Sequence, residues 1–167
     1  MGSIVSVNTY THTVAFVTDK MLGSLKQIIV GIGLNPANFV GSWSSYDRAL
    51  KAWLETKDLT EAVLEVTSST GAFVTRCDFT IDYSYGNGEG EMWVDPDAVR
   101  HEITKMGKFP SECNYQLKLR VKPGAPEVQG WGDCEFLSTA GFTKQSIGTV
   151  IGTSSIGAQA SYWRKVS

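Results

Sequence analysis

The chain has only three cysteines, Cys77, Cys113 and Cys134, an odd number without Cys-x-x-Cys spacing. Such a set builds neither a disulfide framework nor a zinc site, so no metal or other cofactor is expected and a reducing cytoplasm is the expected compartment. An excess of charge of either sign is also missing. Fifteen Lys and Arg against seventeen Asp and Glu leave a formal net charge of -2, which supplies no global field to gather nucleic acid or an anionic membrane. No stretch approaches the roughly 20 consecutive apolar residues that a bilayer requires, and the start lacks a basic segment followed by an apolar one, so neither membrane spanning nor secretion is expected. What is present is globular composition: 42% hydrophobic, with five Trp, six Tyr and seven Phe in 167 residues. That length suits one domain with a real core and hardly two.

From Thr9 to Gly31, Val14, Val17, Met21, Leu25, Ile28 and Ile32 recur at three- and four-residue steps, while Asp19, Lys20 and Lys26 lie off the stripe. This predicts a long first helix lying on a core. The string GLNPANFVGSWSSY interrupts it, with Asn35-Pro36 and Ser44-Ser45 as turn or cap signals, and a second helix follows with Tyr46, Leu50, Trp53 and Leu54 inward. The period then changes to two. Ala62, Leu64 and Val66 alternate with Val63, Glu65 and Thr67, and Phe73, Thr75, Cys77, Phe79 and Ile81 alternate with Val74, Arg76, Asp78 and Thr80. Two antiparallel strands, each with one buried face, are expected around a turn at Gly71. A third helix is signalled by Asp95 as N-cap, Pro96 at the first position and Gly107 as stop. A third strand follows, with Tyr115, Leu117, Leu119 and Val121 on one face and Gln116, Lys118, Arg120 and Lys122 on the other, a cationic pattern suited to an edge. The sum is an α+β domain, three helices packed on a three-stranded antiparallel sheet.

More than a quarter of the chain is left over beyond that unit. Its last part, QSIGTVIGTSSIGAQASYW at residues 145–163, contains no charge at all. Spaced Ile, two aromatics and alternation in AQASYWRK suit a strand laid on another sheet, while Gly148, Gly152 and Gly157 let the ribbon bend. A permanently docked strand and a movable element both fit this pattern.

Two other chemistries can be set against these residues. Cys113 with His101 or His12 as base would make a cysteine-nucleophile enzyme, but no nucleophile motif frames any thiol, so no enzyme is expected. Lys118, Arg120 and Lys122 near Tyr and Trp would suit a single-stranded nucleic-acid binder, yet three cations in a chain of net charge -2 favour edge protection. The glycines of YGNGEGE are a poor phosphate cradle, because Glu89 and Glu91 repel an anion and no Lys-Ser/Thr follows.

The strings VNTYTHTVAFVTDKMLGSLKQII, DFTIDYSYGNGEGEMWVDPDA, KPGAPEVQGW and QSIGTVIGTSSIGAQASYWR together resemble a bacterial HORMA-domain protein of the kind encoded beside a cyclic-oligonucleotide synthase in CBASS-type anti-phage defence operons. The resemblance implies one HORMA-like domain over residues 1–167, with a core at about 9–121 and a C-terminal safety belt at about 122–167 that adds a further strand. It implies that a closure-motif peptide pairs with the strand at residues 113–121 and that AQASYWRK pairs with the strand at 72–83. The implied peptide-binding residues are Cys113, Tyr115, Gln116, Leu117, Lys118, Leu119, Arg120 and Val121, with Trp131, Ile147 and Ile151. Ile156, Tyr162 and Trp163 are the implied belt anchors. Family members are signalling adaptors whose peptide-bound form activates a cGAS/DncV-like nucleotidyltransferase and is reopened by a Pch-type AAA+ ATPase. The remodeller handle would be Ser3, Ile4, Val5, Ser6 and Val7.

Overall fold

The computed structural model describes residues 2, 9–86 and 92–166. The handle residues Ser3, Ile4, Val5, Ser6 and Val7, and Glu89 and Glu91 of the glycine-rich loop, lie outside the described residues. Among the described residues, four helices and six strands follow in the order α1(Thr9–Gly31), α2(Ala37–Gly41), α3(Trp43–Glu55), β1(Leu59–Thr67), β2(Phe73–Asp82), β3(Trp93–Val94), α4(Pro96–Met106), β4(Asn114–Val121), β5(Phe142–Gly152) and β6(Gly157–Lys165). No helix among them is long and apolar enough to cross a membrane.

The apolar stripe of α1 forms the centre of the core: Val17, Met21, Leu25 and Ile28 are fully buried. The chain does not simply break after it. Asn35 Oδ1 accepts a hydrogen bond from Ala37 N at 2.9 Å, and the short α2 drives Phe39 into the core. Ser44 and Ser45 fall inside α3 rather than capping it, since Ser42 stands at the cap position without a side-chain bond. The α4 signals act as expected. Asp95 accepts from Ala98 N at 3.0 Å, and Gly107 leaves the helix at φ 86.

The strands form one antiparallel sheet in the order β3-β5-β6-β2-β1-β4. Leu64 stands opposite both Cys77 and Leu117, so the apolar face of β1, β2 and β4 is continuous and packs on the helices. The expectation of one buried face per strand is corrected for β1 and β2. Val63, Glu65, Arg76 and Asp78 on the opposite face are also buried, because the chain returns across that face.

The neutral ending provides two strands of this sheet, one more than anticipated. β5 and β6 pair with each other, and β6 pairs along β2 from Arg76–Trp163 to Asp82–Gly157. Its glycines do more than bend. Gly148 takes φ 108 where the β5–β6 register slips, a bulge that a side chain would strain. A Cβ on Gly157 would lie 2.7 Å from the ring of Tyr85, so only glycine lets that ring close over the hairpin end. Charge is absent from this ribbon because Val150, Ile151, Ile156, Ala158, Ala160 and Tyr162 enter the core.

Candidate functional site: an encircled sheet edge

Of the two outer strands, β3 has two residues and runs directly into α4, whereas β4 has eight and, among the described residues, carries no strand on its far side. β4 is therefore the edge able to accept an extended chain. Tyr115 fixes it to the helical layer: its hydroxyl donates to Asn35 O at 2.7 Å and accepts from Phe39 N at 3.2 Å.

The segment after β4 encircles this edge. It first runs back along α3, where Trp53 Nε1 donates to Pro126 O at 2.7 Å, Arg48 Nη2 donates to Gln129 O at 2.8 Å, and Trp131 Nε1 donates to Ser45 O at 3.3 Å. Trp131 seats its ring against Tyr46 and Trp53, with centroids at 6.1 and 5.9 Å. A few residues later the chain is on the opposite face of the sheet. There Lys118 Nζ donates to Glu135 O at 2.7 Å, and Glu65 Oε2 accepts from Leu137 N at 2.8 Å. Going from the α3 side to the Glu65 side takes the chain around β4, the last strand.

The landing point is a charged layer that sequence reasoning missed. Phe136 lies between two guanidinium groups, 4.6 Å from Arg76 Cζ and 4.7 Å from Arg120 Cζ. Lys118 pairs with Glu65 at 2.5 Å, and Arg120 lies 3.4 Å from Glu61. Arg76 donates two bonds to Asp78, which also accepts from Trp163 Nε1 at 3.1 Å and faces Lys144 at 3.7 Å. The layer thus joins the wrap, the core strands and both tail strands. Its signal was present in the strings: Glu61/Glu65, Arg76/Asp78 and Lys118/Arg120 each share one face of a strand, and the two acids of β1 complement the two bases of β4.

Cys113, Tyr115, Gln116, Leu117, Lys118, Leu119, Arg120 and Val121 are brought together on or beside β4, and Trp131 lies on the encircling segment. Ile147 and Ile151 do not join them. Both belong to β5, which is separated from β4 by β6, β2 and β1. Ile151 is fully buried there, and these two residues are corrected to packing positions. Ile156 and Tyr162 are buried on the helical face, and Trp163 belongs to the charged layer. The role of Lys118 and Arg120 is likewise corrected. They do not form an open cationic edge, since the wrap and the β1 carboxylates engage both, and Lys122 lies over the Tyr83 ring at 5.6 Å. Each of the three cations on this edge is thus engaged within the chain. Burial pushes the Cys113 thiol up, with Glu112 adding to it, and burial holds Cys77 well above the ordinary range, the reverse of what thiolate chemistry needs. No group of His, Cys, Asp and Glu able to hold a metal occurs among the described residues.

Phe136→Ala removes both ring–cation contacts of the wrap, at about 0.5 to 1 kcal/mol each. The backbone amides of residues 132–137 are then expected to exchange about five- to thirtyfold faster, read by hydrogen exchange on the parent and the variant. Unchanged exchange would mean that the ring holds nothing in place.

Helices on one face, an antiparallel sheet, and a C-terminal segment that rounds one edge strand and pairs at the other side of the sheet define a HORMA-type fold. The family model for bacterial HORMA domain 2 matches residues 2–166, and the chain belongs to that family. Among solved structures, it is similar to a chain of the Mitotic Checkpoint Complex, with TM-score 0.72 and 15% identity over 98% of this chain and 100% of that one. It is similar to E. coli MS115-1 HORMA-deltaN in complex with CdnC, with TM-score 0.56 and 11% identity over 100% of this chain and 94% of that one. It is also similar to C. elegans HTP-2 bound to the HIM-3 closure motif, with TM-score 0.54 and 17% identity over 75% of this chain and 70% of that one. At these identities the shared property is the fold. No curated protein matches the sequence.

Proposed function

We propose that this protein is a cytoplasmic signalling adaptor that holds a short closure-motif peptide as an added strand on β4, under the segment that encircles it. In that state it binds and activates a cGAS/DncV-like nucleotidyltransferase in anti-phage defence, and a Pch-type AAA+ ATPase reopens it through Ser3, Ile4, Val5, Ser6 and Val7. Residues 9–121 act as the core and 122–167 as the belt, with Ile156, Tyr162 and Trp163 anchoring the tail. The protein carries out no catalytic step itself.

Support comes chiefly from one arrangement: among the described residues the eight-residue β4 has no strand on its outer side, while the chain after it passes around it and docks as β6 on β2. Main-chain bonds to such an edge give affinity, and side-chain pockets give selectivity. Two similar folds were solved with a closure motif or with CdnC, which supports the same two partner classes here.

Hydrogen exchange on the full chain, with peptides selected against it by display, tests this. Amides of β4 and of residues 122–137 are expected to gain strong protection, while those of α1 change little. Protection confined to another surface would remove the assignment of β4 as the peptide site.

A further inference from the structure

We propose a second binding site, remote from the β4 edge, that takes an apolar, acid-flanked segment of a partner protein. A cavity of about 470 Å³ opens where the starts of β2 and β5 meet the ends of β6 and α4. Phe73, Phe142, Trp163 and Phe109 give it apolar walls, and the first two rings meet edge to face at 4.6 Å. This volume suits one or two large side chains of a ligand.

Charge selects the occupant. Arg164 and Lys165 line the same cavity, both are exposed, and among the described residues no acidic side chain lines it. Among the described residues neither pairs with a carboxylate, whereas Arg76, Lys118, Arg120 and Lys144 of the nearby charged layer all do. An aromatic or branched side chain flanked by Asp or Glu complements both features. Aromatics and cations also suit a single strand of nucleic acid. Two cations in a chain of net charge -2 make a poor backbone track, and the acidic peptide is favoured.

The cavity is composite. Phe73, Val74 and Met106 come from the core, while Phe142, Trp163, Arg164 and Lys165 come from the tail hairpin. Its walls are complete only while that hairpin lies on β2, so a partner docked here reads the position of the tail. This dependence rests on the belt function proposed above, whereas the ligand class does not.

The test uses 15N-labelled full-length protein and three probes: the acetylated peptides Glu-Phe-Leu-Asp-Glu and Lys-Phe-Leu-Lys-Lys, and an oligothymidine. The acidic peptide is expected to give saturable shifts at Thr75, Phe142, Arg164 and Lys165, with about tenfold weaker binding for the basic peptide and for the Arg164→Glu/Lys165→Glu variant. Equal binding of both peptides, preference for the oligonucleotide, or no saturable shift at these residues overturns the proposal. Capture of display-selected peptides at β4, measured with the acidic peptide on Phe73→Ala, a cavity residue of the core strand β2 outside the belt, separates the two sites. Capture retained with the acidic peptide lost supports two independent sites. An acidic peptide bound at the cavity of a protein that captures nothing at β4 leaves this site standing and removes the belt function.

Discussion

Asp78→Ala is expected to lower stability by about 3 to 5 kcal/mol, the usual cost of breaking a buried pair from one side. Asp78 is fully buried and Arg76 is 7% exposed, so the variant leaves a guanidinium deprived of both its hydrogen bonds to the carboxylate. Trp163 Nε1 loses its acceptor at the same time, which loosens β6 from β2. The loss therefore falls on the contact that holds the tail. Urea unfolding of the single variant and of Arg76→Met/Asp78→Leu checks this, since removing both charges should recover much of the loss. A single variant that unfolds at the parent's midpoint would show that apolar packing alone seats the tail. Because Asp78 is also a lesser cause of the shift at Glu102, the same change should ease ionisation there.

Glu102→Gln is expected to change the pH dependence of stability most. Glu102 is fully buried on α4 without a hydrogen-bond partner for either oxygen, and burial, with Asp78 second, pushes its carboxyl from 4.5 up to about 8. Below pH 4.5 the group is protonated in both folded and unfolded chains and the fold bears no penalty. Between 4.5 and about 8 the unfolded chain releases the proton and the folded one keeps it, so stability falls as pH rises. The cost reaches about 3 kcal/mol at pH 7. The glutamine variant should lose this slope, seen as a difference between the two denaturation series from pH 5 to 8. Equal slopes would mean that Glu102 reaches water.

What could be read along the chain was whatever depends on neighbours three or four residues away. The α1 stripe, the Asp95 cap with Pro96 and Gly107, and the alternation of β1, β2 and β4 are such properties, because a helix or strand exposes its period directly. The neutrality of residues 145–163 was legible too, and so was its consequence, a terminal segment that lies on a sheet. The HORMA resemblance went further: it placed AQASYWRK against the strand at 72–83, and β6 pairs there with β2. The place of β5 in the sheet was not legible. Ile147 and Ile151 have the composition of a contact surface but stand three strands from β4, since sheet order is set by pairing between segments far apart in sequence. The same holds for Phe136, an ordinary loop residue until the wrap brings it between Arg76 and Arg120. The cavity at Arg164 and Lys165 exists only where tail and core meet. Local periodicity determined α1, α3, α4, β1, β2, β4 and the edge. Long-range pairing and the burial of charge it enforces decided where the wrap is held and which cations remain free for a partner.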